Sequence, residues 1–352
     1  MTGYSPGPAR LPAPLLMIQK PFLACLLLAL SSAPAFAWGY TGHRTIGELA
    51  ARNFPKQIPA FLRIPAAVTQ IGLLAQEPDT SRNAGEPHDG DLDPGHFLDV
   101  SDDGTILGGP KLSALPTTRE GYDTALRAVG SDQYKAGFLP YNMMEGWQQL
   151  VKDFALLRRD MAAQKYAKKF GFTAAQRRDT ANTLGVRQLL TLRDLGVWAH
   201  FIGDASQPMH VSVHYNGWGE GPNPEGFVTI AGLHAKFEAT FVDAHVSEAE
   251  VAAKIRPMRS CKDSVQACVT AYLTASHAGV LPVYRLEKAG AFDAATPEAK
   301  AFTIQCLAEA ASMLRDMVAD AWRASGDAML GYKIKASVTD LEAGKIDPRS
   351  LN

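Results

Sequence analysis

The sequence predicts an all-α domain with long functional loops, on three observations. Apolar residues recur at helical spacing over 43–53, 65–76, 117–128, 141–166, 174–205, 228–246, 264–287 and 297–325. No convincing run alternates at period two, apart from a short piece at Phe97–Val100. Two stretches rich in Gly, Pro and Asp, 80–116 and 212–226, interrupt the helices, and loops of such length are usually functional. No repeat and no clear linker divides the chain, so 38–352 reads as a single helical domain.

The first 37 residues stand apart. Lys20 precedes the apolar run from Pro21 to Leu30, which leads to Ala35-Phe36-Ala37, the charged, apolar and small-residue order of a secretory signal peptide. Sixteen residues before Met17 are more than such a segment needs, which makes Met17 an alternative start. Cys25 sits inside the apolar run, so a lipoprotein anchor is not expected. Cleavage after Ala37 would leave Trp38 as the first residue of an exported, periplasmic or secreted chain. No later segment is apolar enough to span a membrane. Of the other cysteines, Cys261 and Cys268 make the simplest disulfide, leaving Cys306 over. No Asn-x-Ser/Thr sequon occurs, in keeping with a bacterial source.

Charge excludes some partners. The first 37 residues hold two of the 35 cations and no acid, so the remainder carries 33 against 36, a formal −3. No block of like charge suggests a nucleic-acid arm or an anionic-lipid patch. A phosphate-bearing substrate would need a local site. No G-x-S-x-G occurs, which disfavours serine hydrolysis.

The chemistry concentrates in 200–238. His200 and Asp204 leave one face of an apolar helix that Pro208 should end, with His210 just beyond. His234 and Glu238 repeat the four-residue spacing on a second helical segment. One such pair is ordinarily a surface hydrogen bond. Two pairs, a third imidazole and the apolar setting of Trp198, Phe201 and Ile202 point instead to a nitrogen- and oxygen-donor set that suits zinc. Upstream, Trp38 and His43 lie at the new N-terminus, where an α-amino group and its own carbonyl can chelate a metal. Asp79 and His96 flank the first long loop. These nine residues suffice for three zinc ions, with Asp204 bridging and positions left open.

At these residues the sequence resembles the S1/P1 nucleases, zinc enzymes related in fold to bacterial phospholipase C, and looks like a bacterial-type member. The resemblance runs from Trp38-Gly39-Tyr40-Thr41-Gly42-His43, through His200-Phe201-Ile202-Gly203-Asp204 and Gln207-Pro208-Met209-His210, to His234-Ala235-Lys236-Phe237-Glu238. It implies the phospholipase C/P1 nuclease fold and three zinc sites. Asp79, His96, His200 and Asp204 would form the first, Trp38, His43 and Asp204 the second, and His210, His234 and Glu238 the third. Asp79-Thr80-Ser81-Arg82 matches D-x-x-R, in which the arginine meets phosphate and the aspartate orients the attacking water. His96-Phe97-Leu98-Asp99 matches H-F-x-D, in which the aromatic stacks on a base and the aspartate bonds its edge.

The chain departs from the pattern at Gln76-Glu77-Pro78, where the family has Trp-Ala before the aspartate, and in lacking a Gly-Gly-Asn stretch. Glu238 is the residue type of the phospholipases rather than the nucleases. The expectation is an endonuclease releasing 5′-phosphate products from single-stranded DNA or RNA, with 3′-nucleotidase activity as an extension. A monomer with no stable protein partner is expected. A phospholipase C acting on phosphatidylcholine is the first rival. A non-catalytic, zinc-stabilised binding protein is the second; Asp79 and Arg82 disfavour it, since a structural site needs no phosphate arginine.

Overall fold

Three long helices run through the protein in a computed structural model that describes residues 38–82, 84, 85 and 89–351. The signal-peptide reading, Met17 and Cys25 fall outside the described residues. In chain order the helices are α1 (Gly39–Arg52), α2 (Pro65–Leu74), α3 (Glu77–Thr80), α4 (Arg119–Arg127), α5 (Gln133–Ala136), α6 (Leu139–Tyr166), α7 (Ala174–Asp204), α8 (Leu233–Ala235), α9 (Phe241–His245), α10 (Glu248–Ala252), α11 (Val265–His277), α12 (Val280–Lys288), α13 (Pro297–Ser325) and α14 (Val338–Glu342). An antiparallel hairpin, β1 (Met329–Leu330) and β2 (Ala336–Ser337), is the one sheet among the described residues. The described part is all-α in all but this hairpin.

Local chemistry explains the long helices. Thr173 opens α7 with a reciprocal capping box to Gln176, which satisfies two of the amide groups a helix start leaves over. Thr296 caps α13 by accepting from Ala299 N, with Pro297 in the first turn, where its missing N–H costs nothing. Helices α6 and α7 pack as an antiparallel pair that meets closely at Gly146. A Cβ there would lie 2.0 Å from the ring of Trp198, whose indole N–H donates to Met143 O at 3.0 Å. One continuous apolar cluster joins α1, α2, α6, α7 and α13 through Ile46, Ile71, Phe154, Leu195 and Leu314. Its burial dominates stability, at about 1.5–3 kcal/mol per large side chain.

Several sequence boundaries need correction. The first helix begins at Gly39 rather than 43, because buried Trp38 anchors its start. The 65–76 segment continues as α3, so Asp79 sits on a helical turn instead of at a loop edge. The Phe97–Val100 piece forms no strand; only Val100 bridges, to Ile106. The 228–246 helix starts at Leu233, after Gly232 at φ 132°, and passes through a π-turn at Lys236–Thr240. The 264–287 segment is two helices, broken at Ala278-Gly279. Cys261 and Cys268 pair as a disulfide with Cα atoms 5.7 Å apart, and Cys306 is a free thiol. Among the described residues no helix is long and apolar enough to cross a membrane.

Candidate metal centre

Helix α7 delivers His200 and Asp204 from its last turn, both 0% exposed. The neighbouring elements converge on them. His43 comes from α1, Asp79 from α3 and His96 from the 3₁₀ turn Asp93–His96. His210 follows on the turn Pro208–Val211, as Pro208 led us to expect. His234 and Glu238 straddle the passage from α8 into the π-turn, a distortion found often at functional sites. Gly203 makes room: a Cβ there would meet His43 Nδ1 at 2.8 Å.

Asp204 is the hub. Its Oδ1 lies 3.3 Å from His43 Nε2, and its Oδ2 lies 3.1 Å from His96 Nδ1 and 3.3 Å from His200 Nε2. Asp79 Oδ1 approaches His200 Nε2 at 3.7 Å and His96 Nδ1 at 3.9 Å. His43 stacks on His200 with ring centres 4.0 Å apart. Beside this group, His234 Nε2 lies 2.8 Å from Glu238 Oε2 and 3.0 Å from His210 Nε2.

The donor set fits a metal on chemical grounds. His200, His210 and His234 each face a backbone carbonyl through Nδ1, of Ala75 at 2.9 Å, His96 at 2.7 Å and Tyr215 at 2.6 Å. Donating Nδ1–H outward leaves an Nε2 lone pair aimed inward, the tautomer a ligating histidine needs. Both ring nitrogens of His43, Asp79 Oδ1, Asp204 Oδ1 and Glu238 Oε1 are buried without a hydrogen bond. Buried polar atoms are rarely left so, and a shared cation would satisfy them together.

Among the described residues three buried groups could hold a metal ion: His43, His200 and Asp204; Asp79, His96 and His200; and His210, His234 and Glu238. The electrostatics call for positive charge at the same place. Burial pushes His43 down and His96 to about 4, so both favour the neutral, ligating form. Burial also opposes charge on His200 and His210, but Asp204 and Asp79 raise the first and Glu238 carries the second to about 8. Burial would raise Asp204, yet His200, His43 and His96 hold it well below the carboxylate range. Glu238 is likewise lowered, by His234 and His210, against its burial.

Eight of the nine expected ligand residues therefore meet through their side chains. Trp38 adjoins them differently: its indole N–H reaches Gly203 O at 2.9 Å and Ser206 Oγ at 2.8 Å, and its carbonyl accepts from Gly42 N at 3.0 Å. These bonds pin the start of α1 to the end of α7.

A cleft of about 410 Å³ opens on this centre and is lined by Arg82, His96, Phe97, Asp99, His210 and His234 among others. Arg82 Nε lies 3.3 Å from both Asp79 Oδ1 and Asp93 Oδ1. Phe97 is partly exposed, not core, and Asp99 is pushed up to about 7 by burial. Gly137 fixes this corner, since φ 77° favours glycine and a Cβ would strike Phe97 O at 2.1 Å.

Sequence reasoning missed Gln207, although it lies inside the quoted motif. Its side chain is fully buried, donates to Glu238 Oε2 at 3.0 Å and accepts from Met209 N at 2.7 Å. Asp93 and the cleft residues Lys135 and Tyr215 carried no spacing signal. Of the remaining histidines, His214 is structural, stacked on Trp218 and 3.0 Å from Asp102 Oδ1, and His277 faces Val211 O. His88 lies outside the described residues. Comparison with family models, with curated proteins and with solved structures finds no match for this chain.

Proposed function

We propose that the chain is a zinc-dependent phosphodiesterase of the S1/P1 nuclease type that hydrolyses single-stranded DNA or RNA to 5′-phosphate products. One observation carries the reading: the buried five-imidazole, three-carboxylate cluster opens onto a cleft that also holds Arg82 and Phe97. The three buried groups would hold three zinc ions, with the Trp38 amino and carbonyl groups completing the site at His43 and Asp204. Zinc there supplies Lewis acidity, activating water near neutral pH and offsetting charge on phosphoryl oxygens.

The side chains supply the rest. Asp79, whose buried Oδ1 faces His200, His96 and Arg82, orients the attacking water and accepts its proton. Arg82, steadied by Asp79 and Asp93, lines the cleft and stabilises the phosphoryl group as negative charge builds. Phe97 offers a ring on which any base can stack, and Asp99 meets its polar edge. A splayed single strand can place a base there, whereas a duplex keeps its bases stacked. Removal of a 3′-phosphate from nucleotides would use the same groups.

Glu238 favours a second reading, phospholipase C on phosphatidylcholine, because the resemblance assigns glutamate to the phospholipases. A choline head group would also find an aromatic face and a carboxylate at Phe97 and Asp99. The test uses protein beginning at Trp38, offered single-stranded nucleic acid and phosphatidylcholine, each with and without chelator. Chelator-sensitive loss of nucleic acid alone is the expected result. Cleavage of lipid alone overturns the reading.

A further inference from the structure

Far from the cleft, one stretch of the chain concentrates cations. Residues 158–178, at the turn between α6 and α7, hold seven Lys and Arg against one acid, Asp160. Four of the seven are engaged. Arg158 pairs with Glu342 at 2.7 Å, Arg159 with Asp160 at 2.7 Å, Lys169 donates to Gly344 O at 2.6 Å and Arg177 to Phe172 O at 2.5 Å. Lys165, Lys168 and Arg178 are exposed and have no carboxylate partner among the described residues. Lys333 and Lys335 are exposed on the β1–β2 turn, and Ala336 at the start of β2 belongs to the same apolar cluster as Ala162 of α6. Of the acids nearby, Glu342 on the wall of an adjoining slot is paired with Arg158, and Asp340 and Asp347 with Lys345 and Arg349, which leaves Asp179 and Asp327 as the exposed counter-charges.

The same surface has an apolar slot. A cleft of about 530 Å³ lies between Phe61, Met161 and Leu184, with Lys165 and Gln188 on its wall. Tyr166 lies beneath the Lys165 ammonium, 4.8 Å from the ring centre. Cations beside apolar and aromatic surface are what a single strand needs, one for its phosphates and the other for its bases.

We propose that this α6–α7 tip is a second docking site for single-stranded polynucleotide, a reading that rests on the nuclease function proposed above. Helix α7 runs unbroken from the tip to the metal centre. Arg178 and Asp204 are 26 residues apart by number, so at about 1.5 Å per residue the spacing is roughly 39 Å. At about 3.4 Å per phosphate of a stacked strand, that is on the order of 10 nucleotides. Long strands therefore engage tip and centre together, and short ones engage the centre alone.

The test compares wild type with the triple variant Lys165→Glu, Lys168→Glu, Arg178→Glu, whose melting temperature confirms folding. Binding of a labelled, hydrolysis-resistant phosphorothioate strand of about 20 nucleotides to the zinc-loaded proteins is followed by anisotropy, with about a tenfold loss of affinity and a salt slope smaller by about 2 expected for the variant. Hydrolysis of a tetranucleotide should be unchanged, while the advantage of the long strand is lost. Equal affinity and equal salt slope for the two proteins would overturn the proposal. So would a variant that loses binding to anionic phospholipid vesicles while binding the strand as wild type does. Tip-dependent strand binding by a protein that cleaves no nucleic acid would support the docking site and reject the nuclease reading.

Discussion

Asp204→Asn removes one charge and almost no volume, and its effect should divide the metal centre in two. Asp204 touches His43, His96 and His200 but belongs to neither His210 nor His234 in the third group. The amide offers one oxygen, and its NH₂ must face an imidazole. Two of the three groups should therefore lose zinc and the third should keep it. With zinc about 1,000-fold above Kd, each occupied site stabilises the fold by about 4 kcal/mol, so the variant forfeits about 8 kcal/mol. At about 2 °C per kcal/mol for a domain of this size, its melting temperature in zinc falls by about 15 °C. In chelator neither protein gains that term, and the difference shrinks to about 1–2 kcal/mol, the scale of exchanging a hydrogen bond. Scanning calorimetry in both buffers, with elemental analysis of each protein, reads these quantities. An Asn variant that retains three equivalents, or that is equally destabilised with and without chelator, refutes the bridging role.

Gln207→Leu should weaken the His210, His234 and Glu238 site alone, by about 10–100-fold in a chelator competition, because it removes the bond that orients Glu238. Phe97→Ala should raise KM for oligonucleotides about tenfold, the cost of a lost stacking contact, and leave a small aryl phosphodiester unaffected. Asp153→Asn should stabilise the protein at pH 8 and have little effect at pH 4. Burial, with Asp194 nearby, pushes the Asp153 carboxyl up to about 6, so the native state holds a proton that the unfolded chain has already released. Stability is then lost as pH rises through that range, and the neutral amide avoids the loss; denaturant midpoints at the two pH values measure it.

The long helices were legible because their signals are local. Periodicity alone gave α7 and α13 nearly their observed bounds, which the Thr173 and Thr296 caps enforce in the structure. The i, i+4 pairs and the stop at Pro208 likewise placed five ligand candidates by spacing alone. What escaped depends on contacts distant in sequence. The π-turn that carries Glu238 keeps an apolar pattern almost indistinguishable from an α-helix. The break at Ala278-Gly279 is fixed by close packing, since a Cβ on Gly279 would lie 2.8 Å from Pro208. Gln207 reads as an ordinary polar residue until Glu238, 31 positions away, arrives beside it. The excess of cations in 158–178 is visible in the sequence, but which of them stay unpaired is settled only by folding, when Glu342 engages Arg158 and the Gly344 carbonyl engages Lys169.

The count of zinc bound to protein that begins at Trp38 tests the central claim most directly. About three equivalents per chain, falling when the chain is stripped and returning on zinc addition, is the predicted result. A protein that folds and binds no zinc would contradict the account, because the orphaned donors of His43, Asp79, Asp204 and Glu238 would then be satisfied by some other means.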